Sequence, residues 1–313
     1  MKIKTTETFS YKVKSESRES ITGRKKSDAC LMGYLLVSQA DKSGGIRFVT
    51  DSDVCSDLFV RLVSHAAENE NVAVMTVLRS RGRAPQYSIA IENRQDVYKI
   101  SQRLGFSVSD KNLLMASAEK ISEKNYGAFA AGVFMACGSI SSPDKEYHLE
   151  FIFQDDSVCG WFCRSMMDRF AIPLRQTKRN GSFVLYLKGS EGIEDVLTLI
   201  GAQMSSLELM NVKVYKDFRN RANRATNCDT ANCERQNRCA ARQIEAIKRI
   251  EASEGGLSRL DDDLREIAEL RLKYPEYNLS ELSAEVVKPI SKSGVNHRLK
   301  RIEEIAEEIN KQQ

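Results

Sequence analysis

"GAFAAGVFMACGSI", residues 127–140, is a run of mostly small apolar residues that opens on a glycine and has one glycine inside it and another near its end. A helix facing solvent carries polar residues on one side, and a membrane span needs roughly 20 apolar residues. This stretch does neither. Side chains so small let two helices approach until their backbones nearly touch, so the run predicts a buried helix packed on a helix of the same kind. A matching segment occurs about a hundred residues earlier, as expected of an internal repeat: "ACLMGYLLVSQA" (29–40) places Gly33 where "FAAGVFMACGSI" (129–140) places Gly132.

The similarity continues beyond these segments. "GIRFVTDSDVCSDLFVRLV" follows the first and "HLEFIFQDDSVCGWFCRSMM" the second, each a strand, an acidic turn, a Val-Cys pair (Val54-Cys55, Val158-Cys159) and an amphipathic helix. "VLRSRGRAPQYSIAIENRQDVYKISQRLG" then answers "PLRQTKRNGSFVLYLKGSEGIEDVLTLIG", with a basic glycine-containing turn between two strands and a helix ending at Gly105 or Gly201. Alternation in Tyr87–Ile91 and Phe183–Leu187 supports half-buried strands. The chain therefore reads as two copies of an α-β-β-α-β-β-α unit, about residues 15–106 and 124–210, with Gly33 against Ala131 and Gly132.

Composition bounds the rest. The 313 residues are 42% hydrophobic and 29% charged, the profile of a soluble protein of two or three domains. A net charge of +4 means that any nucleic-acid role rests on where the charge sits. The first twenty residues are polar and lack the apolar core of a signal peptide, and no run is long enough to span a membrane, so a cytoplasmic location is expected. Eight cysteines raise the question of metal. None form a C-x-x-C pair, and none lies beside one of the three histidines, His65, His148 and His297. Cys228, Cys233 and Cys239 are the best candidates but lack a fourth ligand. Reduced thiols with no metal and no cofactor are the preferred reading.

The segment Ala130–Gly138 resembles the LAGLIDADG motif of homing endonucleases, and Leu31–Ser38 resembles a weaker first copy. In that family the two motif helices form a pseudo-dyad and saddle-shaped sheets sit on DNA. Active members carry an acidic residue at the next-to-last motif position of both helices, and the two carboxylates hold divalent metals. The matching residues here are Ser38 and Cys137. A hydroxyl and a neutral thiol do not hold Mg²⁺. Asp41 and Asp144 lie past the helix ends, off the axis, so no catalytic residue is expected and nuclease activity is not.

Basic residues gather in three places. Arg79, Arg81 and Arg83 mark one hairpin turn, and Arg175, Lys178 and Arg179 the other. Such groups suit phosphate contacts, although solvated hairpin tips are often basic as well. In residues 211–245, Arg219, Arg221, Arg224, Arg235, Arg238 and Arg242 alternate with Asn220, Asn223, Asn227, Asn232 and Asn237. This composition supplies phosphate partners and base-edge hydrogen bonders, and points to a nucleic-acid or interdomain interface. A helix with Ile244, Ile247 and Ile250 on one side follows, then the flexible joint "EGGLSRL".

From Leu257 three short helices are expected. The first carries Leu264, Ile267, Ala268 and Leu270 on one face; the second opens on Asn278 with Glu281 three residues on, a capping box. The third follows Pro289 and can be capped by Ser291. Val295, Leu299 and Ile302 form its apolar stripe, with Ser293, Asn296, His297, Lys300 and Arg301 opposite. A generic three-helix bundle would also fit, but basic residues confined to one face of the last helix favour a helix-turn-helix. Ser293, Asn296 and His297 would read bases, while Lys292, Arg298, Lys300 and Arg301 would position the helix on phosphates.

Together, the degenerate double motif, "RNRANRATNCDTAN" and "PISKSGVNHRLKRIEEIAEEI" resemble the bacterial WhiA family over nearly the whole chain. The resemblance implies an α+β protein in three parts: a double LAGLIDADG-like domain (1–210), an Arg/Asn-rich connector and linker helix (211–256), and a C-terminal helix-turn-helix similar to the promoter-reading domain of sigma factors (257–313). It implies a non-enzymatic DNA-binding regulator tied to cell division, chromosome segregation and sporulation-type gene control. The expected partners are double-stranded DNA at the nucleoid and RNA polymerase or another transcription regulator, with no membrane. The rival readings are a scaffold whose LAGLIDADG-like part binds protein, and an active metal-dependent endonuclease.

Overall fold

The structure, a computed structural model, describes residues 8–40, 44–79, 85–105, 107 and 110–312. Helix α1 (Phe9–Ser20) precedes a first repeat of α2 (Arg24–Val37), β1 (Gln39–Ala40), β2 (Ile46–Thr50), α3 (Asp53–Ala67), β3 (Val74–Leu78), β4 (Gln86–Ile91) and α4 (Arg94–Leu104). Helix α5 (Lys111–Glu119) precedes a second repeat of α6 (Glu123–Cys137), β5 (Gly138–Ile140), β6 (Leu149–Phe153), α7 (Asp156–Phe170), β7 (Arg175–Arg179), β8 (Ser182–Leu187) and α8 (Ser190–Leu199). Then come α9 (Gln203–Glu251), a 3₁₀ turn (Gly256–Arg259), α10 (Asp262–Lys273), α11 (Leu279–Glu285) and α12 (Lys292–Gln312). The chain divides into two units, Met1–Lys216 and Asp217–Gln313, each with its own core.

The first unit is the expected pair of repeats. Each contributes a four-stranded antiparallel sheet, ordered β1-β2-β4-β3 and β5-β6-β8-β7. Helices α3 and α7 start alike, with Ser52 capping the Cys55 amide and Asp155 capping those of Ser157 and Val158. They also end alike, on left-handed residues Glu68 and Ala171. Between β7 and β8 the turn is Asn180-Gly181, both at positive φ (51° and 83°), the pair that a two-residue hairpin of native twist requires.

Helices α2 and α6 pack against each other along the pseudo-dyad. Residues 29–36 of α2 are all buried, as are Ala128–Met135 of α6. A methyl group at Gly33 would strike the Phe129 carbonyl oxygen and come within 2.7 Å of the Val133 nitrogen. One at Gly132 would strike the Cys30 carbonyl oxygen. In both directions the neighbour is backbone, which no rotamer change can move aside.

The structure departs from the sequence reading in three places. The repeat has an extra leading helix: α1 buries Phe9, Val13 and Ser17, and α5 buries Leu114 and Ala118. Each of them packs on the motif helix of the other repeat, α1 on α6 and α5 on α2. Arg175, Lys178 and Arg179 lie on strand β7 rather than in its turn, because the Asn-Gly turn takes only two residues and leaves the basic side chains in the ladder. The connector expected from residue 211 is not a separate segment: one helix, α9, runs unbroken from Gln203 to Glu251. Glycine stands only at Gly201 before it and Gly255 after it, no proline lies between, and arginine and alanine are strong helix formers.

A Gly→Ala exchange in an exposed helix normally stabilises by about 1 kcal/mol. Gly33→Ala and Gly132→Ala are each expected to do the reverse, lowering the stability of the first unit by about 2 kcal/mol or more. Urea unfolding of the purified variants measures this, and a gain in midpoint would show that the helices are not held at backbone contact.

Candidate nucleic-acid interface

At the ends of the two packed helices, Ser38 and Cys137 occupy the places of the acids. Ser38 closes α2, and its hydroxyl donates back to the Tyr34 carbonyl at 2.8 Å. The Cys137 thiol lies 3.3 Å from the Val133 carbonyl, and burial pushes its pKa up to about 12. Neither is available as an anionic ligand. Asp144 is exposed in the turn after β5; Asp41, Arg81 and Arg83 lie outside the described residues. Among the described residues no three His, Cys, Asp or Glu side chains gather closely enough to hold an ion, the Cys228, Cys233 and Cys239 trio included.

What occupies this region instead is lysine. Lys111, from the start of α5, donates from Nζ to the carbonyls of Leu36 at 2.8 Å and Ser38 at 2.7 Å, and to that of Leu35. It thereby satisfies three of the carbonyls left open at a helix C-terminus, where the macrodipole also favours a cation. Burial pulls its pKa down to about 8, with Asp155 pulling the other way. The pseudo-equivalent α1 brings Lys14 to the end of α6, with Nζ 6.0 Å from the Phe134 ring centre. Lys14 and Cys137 both line a cavity of about 700 Å³, and Ser38 and Lys111 one of about 300 Å³.

The outer faces of the two sheets differ in charge. Strand register places Arg175, Thr177 and Arg179 on the outer face of the second sheet, beside Tyr186, Val184 and Ser182. Lys178 faces the other way, its Nζ 5.0 Å from the Phe183 ring centre. Arg179 is not free: it donates to Glu150 at 3.1 Å, and His148 Nε2 lies 3.3 Å from the same carboxylate oxygen. The corresponding face of the first sheet carries Arg47, Val49, Ser88, Ala90, Val74, Thr76 and Leu78. Arg79 is exposed just past β3.

Helix α9 orders the Arg/Asn residues. Every residue from 217 to 238 is exposed. At about 100° per residue, Arg221, Arg224, Arg235, Arg238 and Arg242 fall within an arc of about 100°, whereas Arg219 lies about 150° from its centre. The stripe is about 32 Å long. The sequence reading of this stretch thus needs revision: Arg219 stands apart from Arg221 and Arg224, and Arg235, Arg238 and Arg242 join them. The signal was in the spacing, intervals of three, eleven, three and four that each come close to whole helical turns, once the segment is taken as helical.

Helices α10, α11 and α12 pack around Ile267, Ala268, Leu282, Val286, Val295, Leu299 and Ile302, with Ile247 and Ile250 of α9. The expected caps are present: Asn278 and Glu281 form the box, and Ser291 Oγ accepts from the Gly294 amide at 3.1 Å. The turn between α10 and α11 is fixed by buried Arg271, which donates to the Tyr277 carbonyl at 2.6 Å, and by stacked Tyr274 and Tyr277 rings 4.5 Å apart. On α12, Lys292, Ser293, His297, Lys300 and Arg301 are exposed, and Asn296 is half-buried on the flank. Arg298 is on the opposite flank and turns inward, donating to Asp263 at 2.9 Å. Arg301 pairs with Glu304 one turn on, at 2.8 Å. The face open to a groove is therefore Ser293, His297 and Lys300, with Asn296 at its edge.

Two family signatures match the chain, the WhiA LAGLIDADG-like domain over residues 126–219 and the WhiA C-terminal HTH domain over residues 222–306. A "Probable cell division protein WhiA" of Clostridium novyi is 35% identical, over 97% of this chain and 99% of its own length. One of Clostridium botulinum is 46% identical over 58% of this chain and 57% of its own. The crystal structure of full-length DUF199/WhiA from Thermotoga maritima superposes with a TM-score of 0.57 at 25% identity, covering 96% of this chain and 98% of that one.

Lys111 supplies a measurable signature. Its folded pKa is about 8, against an ordinary value of 10.5. Between those values the unfolded chain holds a proton that the folded chain has released, so the residue's contribution to stability rises with pH across that window. The stability of the unchanged protein relative to Lys111→Met is expected to increase from pH 8 to 10.5, by at most about 3 kcal/mol, and to be flat below pH 7. Thermal unfolding of both proteins at each pH measures it; a flat difference would show that the carbonyls of Leu35, Leu36 and Ser38 offset the cost of burying the ammonium.

Proposed function

This chain belongs to the WhiA family, and on that footing we propose that it is a non-enzymatic DNA-binding protein of bacterial cell division whose second unit reads DNA. One observation carries the proposal. Helix α12 buries Val295, Leu299 and Ile302 while its first turns present Ser293, His297 and Lys300 to solvent, with Asn296 alongside. That is the geometry by which the second helix of a helix-turn-helix enters the major groove. The match of residues 222–306 to the family's HTH domain supports the same reading.

Within it, Ser293, Asn296 and His297 read base edges, and Lys292 and Lys300 contact phosphate. Arg298 and Arg301, engaged with Asp263 and Glu304, contribute less than their charge suggests. The Arg221–Arg242 stripe of α9 adds phosphate contacts that position rather than select, as does exposed Arg175, and Arg179 is a weaker candidate because Glu150 already pairs with it. The full role extends to chromosome segregation and sporulation-type gene control, acting at the nucleoid with RNA polymerase or another regulator as partner. No helix among the described residues is long and apolar enough to cross a membrane.

Binding-site selection on randomised DNA tests the assignment. Asn296→Ala is expected to relax preference at one base position, by about 1–3 kcal/mol of discrimination, whereas Lys300→Ala lowers affinity for every sequence nearly equally. Replacing Arg224, Arg235 and Arg238 by Gln together should reduce the salt dependence of binding by about one slope unit per lost phosphate contact, and Arg219→Gln should leave it unchanged. An unaltered motif for a folded Asn296→Ala protein, or an unaltered salt slope for the triple variant, refutes the respective role.

The absence of carboxylates at Ser38 and Cys137, with lysine ammonium groups in their neighbourhood, supports the non-enzymatic reading. Supercoiled plasmid incubated with the protein and Mg²⁺ or Mn²⁺ is expected to stay supercoiled. Nicking that EDTA abolishes and Cys137→Ala removes would establish the nuclease instead.

A further inference from the structure

The outer strands of the two sheets are pseudo-equivalent and chemically opposite. Strand β7 reads Arg-Gln-Thr-Lys-Arg and β3 reads Val-Met-Thr-Val-Leu. The register aligns them row by row: Arg47, Ala90 and Val74 correspond to Glu150, Tyr186 and Arg175, and Thr76 corresponds to Thr177. Where the second sheet has Arg175 and Arg179, the first has Val74 and Leu78. Both strands are last in their sheets, and among the described residues no strand pairs with the free side of either.

A free sheet edge is a template for further strands, and proteins blunt it with charge, proline or a bulge. Strand β7 is blunted in this way by its three cations. Strand β3 carries no charge and no proline, and all five of its residues are exposed, Val74 at 56% and Leu78 at 53%.

We propose that β3 is a dimerisation edge, paired antiparallel with β3 of a second copy of this chain about a two-fold axis through Thr76. The occupant follows from the sequence of the strand itself. Antiparallel pairing centred on Thr76 sets Val74 opposite Leu78, Met75 opposite Val77, and Thr76 opposite its own copy. Every cross-strand pair is then apolar or a threonine pair, both of them favourable, and the interface is isologous, as a two-fold requires. The inward side chains of one strand continue those of the other, since directly opposed residues share a face. The same operation on β7 would set Arg175 against Arg179, which is repulsive. The two four-stranded sheets thereby become one eight-stranded sheet. This inference stands apart from the DNA reading, because it uses only the first unit.

Sedimentation equilibrium of the full chain over a wide concentration range tests it, with Thr76→Lys and Thr76→Glu as variants. The unchanged protein is expected to approach twice the chain mass as concentration rises. Each variant, placing like charges directly opposite, is expected to stay monomeric, and an equimolar mixture of the two to recover the dimer. Because Thr76 is exposed, circular dichroism should show both variants folded. Amide hydrogen exchange of the unchanged protein provides a test without mutation: residues 74–78 gain protection as concentration rises. A monomer at every concentration, a dimer that both charge variants leave intact, or exchange at β3 that does not respond to concentration would each overturn the proposal.

Discussion

Everything in the first unit is arranged about a contact between two backbones. At Gly33 and Gly132 there is no room for a methyl group on either side, so α2 and α6 are fixed in rotation as well as in distance. Each sheet then inherits its place from the helix that leads into it, β1 directly after α2 and β5 directly after α6. Large side chains fill the space that the small ones leave: Tyr34 meets Phe48 edge-on and Phe59 at a tilt in one repeat, and Phe129, Phe134, Phe151 and Phe162 form the corresponding cluster in the other.

The same contact separates fold from chemistry. A helix pair held by backbone proximity does not depend on what stands at its ends, so the terminal residues are free to change. Here a serine and a cysteine stand at the ends, and the helices pack. The open carbonyls at the end of α2 are satisfied by Lys111, a role that a bound cation or water would otherwise fill. The end of α2 therefore keeps these carbonyls paired without an ion.

Much of this was legible in the sequence, for identifiable reasons. Glycine among alanines marked the dyad, alternation marked β4 and β8, and the Asn278/Glu281 box marked α11, because each is a local signal read at its own position. Helices α1 and α5 were missed because their buried faces are short: Phe9, Val13 and Ser17 in one, Leu114 and Ala118 in the other. Lys111 could not be assigned, since its partners lie some seventy-five positions away in the chain. The ion pairs that occupy Arg179 and Arg298 were invisible for the same reason, their partners Glu150 and Asp263 lying about thirty positions away. The unbroken course of α9 was hidden by composition, because asparagine suggests loops even where nothing interrupts the helix.

That helix has a thermodynamic character of its own. Residues 217–238 are exposed on every side, so no tertiary burial stabilises them, and most helical stability in proteins comes from such burial. What remains is intrinsic propensity, weakened by five asparagines that are poor helix formers. Among the described helices, the middle of α9 is thus a segment that opens at a cost below that of unfolding either core. A ligand lying along this stretch would hold a helix that no core supports, and part of its binding energy would be spent on suppressing that opening. The firmness of the helix then reports whether anything is bound to it.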